Sequence, residues 1–146
     1  MRVPLLLVFL PLIALSCTKD SLERYQDLMQ DLIELHLDSA KALDRSSSGK
    51  EATAILERFA EKARAASLQA AEFAKRSPEL RPENRLKVPE KVIRLTLELK
   101  AAQETFLKSL AFSSPKFLLD LDYGRALKRT HAAAEAVRGG LSGLAR

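Results

Sequence analysis

EATAILERFAEKARAASLQAAEF, residues 51–73, is the stretch that decides the fold. Ala52, Leu56, Phe59, Ala63, Ala66, Ala70 and Phe73 recur at steps of four and three. That spacing draws one apolar stripe along an α-helix, with charged residues on its other faces. Ser48 and Glu51, just upstream, form the pattern of a capping box, which fixes where the helix starts. The many alanines bury little area each, but they let a partner helix approach closely. Such a helix is built to lie in a bundle.

The flanking sequence supplies the partners. Before the break DRSSSG (44–49), Tyr25, Leu28, Leu32, Leu35, Ser39 and Ala42 mark a first helix over about 21–43, with Asp20 and Glu23 as its capping box. After a Pro-rich loop from Ser77 to Pro89, a third helix carries Val92, Leu95, Leu99, Ala102, Phe106 and Leu110. A turn is expected at Ser113–Pro115, with Ser114 as N-cap and Pro115 as the first helical residue of a fourth helix. That helix carries Leu119, Tyr123, Leu127, Thr130, Ala134 and Val137, and ends at Gly139-Gly140. Gly124 inside it predicts a kink or a close approach. Phe112 and Phe117 flank the tight turn, and either pack across it or present an apolar contact. The expected fold is all-α, an antiparallel up-down-up-down four-helix bundle over residues 21–138, followed by a flexible tail over 139–146.

Composition agrees with this reading. The chain has 146 residues, enough for one core, with 47% hydrophobic residues, five glycines and no tryptophan. The net charge of +5 raises the question of nucleic acid, but basic residues alternate with Glu and Asp, and aromatic residues are only 5%. Stacking platforms are scarce, and nucleic acid is not expected as a partner.

The N-terminus gives an address. Met1-Arg2 is a short positive start, and Val3 to Leu15 is apolar throughout. Thirteen residues rise only ~20 Å as a helix against a hydrocarbon core of ~30 Å, so the run reads as a signal peptide (1–16) and not as a span. Cys17, the one cysteine of the chain, follows directly. Ala14-Leu15-Ser16-Cys17 resembles the lipobox of bacterial lipoproteins, although Leu and a small residue stand in the reverse of the family's usual order. The resemblance implies cleavage before Cys17 and acyl chains on it. Ala14-Leu15-Ser16 also fits ordinary signal cleavage, which would release a soluble protein with an unpaired thiol. Under the lipoprotein reading, residues 17–20 are a lipidated cysteine and a tether of ~10 Å, and the bundle sits close to the bilayer. Thr18, in place of Asp, implies an outer-membrane location facing the periplasm where the host has one. The end near the tether carries Lys19, Lys75, Arg76, Arg81, Arg85, Lys87, Lys91, Arg138 and Arg146 against fewer acids, which suits anionic headgroups.

The sequence carries no recognisable catalytic pattern, and no enzyme is expected. The two histidines, His36 and His131, stand on different helices, ~12 Å apart if helices 1 and 4 pair antiparallel, too far to share a ligand. Neither has a Glu three residues before it, as a bundle di-metal site requires. Asp120 and Asp122 suit the start of a helix. The same antiparallel pairing sets Met29 opposite His131, and this layout is similar to the small periplasmic four-helix b-type cytochromes. That resemblance implies axial ligation of haem b by Met29 and His131, and electron transfer. Against it, Met is a common core filler. The leading expectation is a membrane-anchored lipoprotein with a non-enzymatic binding or structural role toward an unidentified envelope protein. The haem-b electron carrier is the alternative.

Overall fold

A computed structural model describes residues 21–76 and 90–145 as four helices. They are α1 (Ser21–Arg45), α2 (Gly49–Arg76), α3 (Glu90–Phe117) and α4 (Leu121–Ala145). Residues 1–20, 77–89 and 146 lie outside the described residues, and with them the expected signal peptide, lipidated Cys17, tether, Asp20 cap and Pro-rich loop. The chain is an all-α, four-helix bundle.

Two of the helices, α2 and α4, start where side chains satisfy free backbone N–H groups. At α2, Ser48 Oγ accepts the Glu51 N–H (3.2 Å), and the Glu51 carboxylate takes the Ser47 N–H (2.9 Å) and hydroxyl (3.1 Å). The Ser47 backbone N–H, then its hydroxyl, hold the Glu51 carboxyl below the usual range. At α4 the cap is Asp120, whose Oδ1 accepts the N–H groups of Asp122 (2.9 Å) and Tyr123 (3.1 Å).

This cap corrects the expected start of the fourth helix. Ser113–Pro115 is not a turn, because α3 runs through Pro115 to Phe117 and the break falls at 118–120. Pro115 removes a single backbone bond close to the helix end. Helical placement of Ser113 and Ser114 brings both hydroxyls to the buried Tyr123 hydroxyl, at 3.2 and 3.1 Å. Asp120, with its acceptor carboxylate, outcompetes Ser114 as the cap.

The second correction concerns Gly139-Gly140. The helix does not end there but continues to Ala145, and neither glycine has positive φ. Gly140 serves contact instead: a Cβ there would stand 3.0 Å from the Ser67 carbonyl oxygen and 3.3 Å from Ala70 Cβ. Gly124, by contrast, faces open space, so close packing is not its role.

The packing pairs are α2 with α4, the most extensive, and α1 with α3, while α1 and α2 touch less. Along α2 and α4, Gly49 meets Asp120, Leu56 meets Thr130, Glu57 meets Arg129 and Ser67 meets Gly140. Residue numbers rise together along both helices, so α2 and α4 run in the same direction. Ala52, Ala63, Ala126 and Ala133 are fully buried, and Thr130 Oγ1 donates to the Leu56 carbonyl at 3.1 Å. Small residues bring these two backbones close. The larger side chains gather elsewhere, where Phe59 and Phe106 stack at 4.3 Å between centroids.

Candidate functional site

His36 lies on the buried face of α1, between Leu32/Ile33 and Ala40/Leu43, and is 3% exposed. Its Nδ1 stands 2.6 Å from the Leu32 carbonyl oxygen. A carbonyl only accepts, so Nδ1 carries the proton and Nε2 keeps its lone pair. The imidazole meets Phe59 and Phe106 edge-on, at 5.0 and 5.7 Å with interplanar angles of 80° and 86°. These are the favoured geometries for aromatic pairs.

Burial disfavours the imidazolium and holds the His36 pKa below its ordinary value, and the opposing pull of the Leu32 carbonyl is smaller. In the unfolded chain the ring returns to about 6.5. Below that pH the unfolded state binds a proton that the folded state refuses. The stabilising contribution of a neutral His36 is therefore complete above about pH 6.5 and is lost progressively as the pH falls below it. Thermal unfolding at pH 7.5 and pH 5.0 should show a larger drop in Tm for the wild type than for His36→Phe. Equal drops would mean that another group carries the acid sensitivity.

A cavity of about 210 Å³ opens beside this ring, between α3 and α4. His36, Phe106, Leu110 and Thr130 line its inner part, and His131, an exposed residue of α4, lines it too. The ~12 Å separation expected between the histidines rested on a pairing of helices that the structure does not show, and both residues line this one cavity. That pairing set α1 against α4, whereas α1 packs on α3, and α4 borders the same space from the other side. Lys100, Glu104 and Arg138 complete the charged groups of the lining.

Met29 and His131 differ in their surroundings. Met29 is a core residue, 2% exposed, and does not line the cavity that His131 lines. Among the described residues, no group of three or more His, Cys, Asp or Glu side chains is arranged to hold a metal ion. Cys17 lies outside the described residues.

Two further surface features stand out. A groove of about 490 Å³ follows the looser α1/α2 contact, with Asp31, Glu34 and Asp38 on one rim and Arg58 and Lys62 on the other. Its rims carry opposite charges. The end holding the 118–120 connection exposes Phe112 (62%), Leu118 (73%), Leu119 (98%) and Leu121 (77%). Leu119 was expected on the buried stripe of the fourth helix, but it falls in the connection, before α4 starts. Phe117 packs against the core, 5.5 Å from the Tyr123 ring, while Phe112 stays outside under the Lys116 ammonium at 3.9 Å.

No protein-family model, no curated protein and no solved structure matches this chain. No helix among the described residues is long and apolar enough to cross a membrane.

Proposed function

We propose that this chain is a lipid-anchored envelope protein whose bundle is a non-enzymatic binding module. The observation that carries the reading is the position of Cys17, the one cysteine, directly after the apolar run 3–15. Residues 1–16 act as an export signal, and acyl chains on Cys17 hold the mature protein on the extracytoplasmic side. Two or three chains make the attachment effectively permanent, at ~0.8 kcal/mol per buried methylene.

The helices run up-down-up-down in this reading. Two three-residue connections, 46–48 and 118–120, support it, as does the common direction of α2 and α4. The short tether then turns the end with Ser21, Arg76 and Glu90 toward the bilayer, where Lys75, Arg76 and Lys91 meet anionic headgroups. Each such contact contributes ~1 kcal/mol. The opposite end holds the exposed Phe112, Leu118, Leu119 and Leu121, and faces an envelope partner. Apolar groups grouped at one end of a small domain are a common mark of an interaction site.

Intact mass of the protein extracted from its own membranes tests the anchor. The expected species begins at Cys17 and carries acyl chains, and Cys17→Ala abolishes both cleavage there and the added mass. An unacylated, soluble product would overturn the proposal, and the orientation argument with it.

A further inference from the structure

We infer that the α3/α4 cavity is a binding site for a small aromatic carboxylate that carries a hydroxyl, such as a hydroxybenzoate. The inference does not depend on the lipid anchor. It starts from the size of the space. About 210 Å³ exceeds the roughly 150 Å³ that accommodates a benzene ring in an apolar protein cavity, and leaves room for substituents.

The interior sets the hydroxyl. His36 commits Nδ1–H to Leu32, so Nε2 faces the rest of the molecule as an acceptor. His36 lines the cavity, and with Nδ1 committed its Nε2 is the ring nitrogen left to meet a ligand there. Thr130 cannot supply a donor there, because its hydroxyl proton goes to Leu56. A molecule that displaces water from Nε2 must replace the water's hydrogen bond, and a phenolic O–H does so. The pKa of His36, held down by burial, keeps that acceptor available at neutral pH.

The walls set the ring and the mouth sets the charge. Phe106, Leu107, Leu110 and Ala134 offer apolar surface on which a flat ring lies. Lys100 and Arg138 bring basic side chains to the lining, His131 adds a further nitrogen donor or acceptor, and Glu104 offsets one of the basic groups. Arg138 bonds Glu135 at 2.9 Å, but both side chains are about two-thirds exposed, at 68% and 66%. An exposed pair of this kind contributes little, so the guanidinium is free to turn to a carboxylate at small cost.

The chain contains two histidines, so isotope labelling of histidine alone gives two imidazole signal sets to follow. The full chain in detergent micelles is titrated with 4-hydroxybenzoate, and with benzoate as the partner lacking the hydroxyl. Saturable shifts of both histidines are expected, with benzoate about tenfold weaker. In His36→Phe the two ligands should bind alike. Lys100→Gln with Arg138→Gln should weaken both by about tenfold, and Ala134→Phe, which fills the space from a half-buried position, should abolish binding while helical content is kept. Absence of saturable shifts at millimolar ligand would overturn the inference. So would affinity unchanged by Ala134→Phe, which would place the ligand elsewhere.

Discussion

Phe59→Ala is expected to destabilise the bundle by about 3–5 kcal/mol, the usual range for removing a fully buried phenylalanine. Phe59 is 0% exposed, and its ring is shared: Phe106 stacks on it at 4.3 Å and His36 meets it edge-on at 5.0 Å. Truncation therefore loses the transfer energy of the ring, leaves a void, and removes a wall from each of two other rings. Against a total stability of about 5–15 kcal/mol, that is a large fraction. The change is read from urea unfolding, with Phe112→Ala as the companion. Phe112 is 62% exposed, and its loss should stay within about 0.5 kcal/mol. If the two variants lost stability equally, the stacked rings would not be the centre of the core.

The contrast between these two phenylalanines shows what periodicity makes legible. Spacing of three and four placed Val92, Leu95, Leu99, Ala102, Phe106 and Leu110 on one face, and all six are buried. The capping box at Ser48 and Glu51 was equally plain, since a carboxylate or hydroxyl beside free N–H groups is a local matter, whereas at the last helix two candidate caps stood six residues apart and Asp120, not Ser114, is the one used. In α4 the phase was legible in part: Tyr123, Thr130 and Val137 are buried as expected, whereas Leu119 is exposed and Ala126 and Ala133 complete the buried line beside Leu127 and Ala134. Alanine carries so little hydrophobic signal that the true stripe was hard to tell from its neighbour. The site was less legible still. His36 falls within the period of α1, but what covers it depends on which helix lies across from which, and no spacing inside a helix encodes that. Pairing α1 with α3 and α2 with α4 brings His36 and His131 to one cavity, and leaves Met29 in the core.

The division of labour between the two packing pairs follows from side-chain size. Where α1, α2 and α3 converge, Phe59, Phe106 and His36 pack as a group of rings, and one cavity lies beside Phe106 and His36. Where α2 meets α4, small residues allow close contact, and the binding surfaces must lie elsewhere.

That second seam gives the other large effect: Ala133→Leu should cost about 1–3 kcal/mol, through overpacking and not through loss. Ala133 is fully buried, one turn beyond Thr130 and two turns before Gly140, both of which touch α2 backbone oxygens or their surroundings. Interiors are close-packed, so three added carbons must separate the helices or force an unfavourable rotamer. Separation has a second consequence, because the Thr130 hydroxyl reaches the Leu56 carbonyl at 3.1 Å only while the backbones stay close. A double-mutant cycle with Thr130→Val detects this. In the wild type that substitution removes a buried hydrogen bond and should cost about 1 kcal/mol. In the Ala133→Leu background it should cost nearly nothing, since the bond is already broken. Ala132→Leu, one residue away on the exposed face, is the control and should be close to neutral. A stabilising Ala133→Leu would mean that the seam has spare volume, and the close approach of α2 and α4 would lose its explanation.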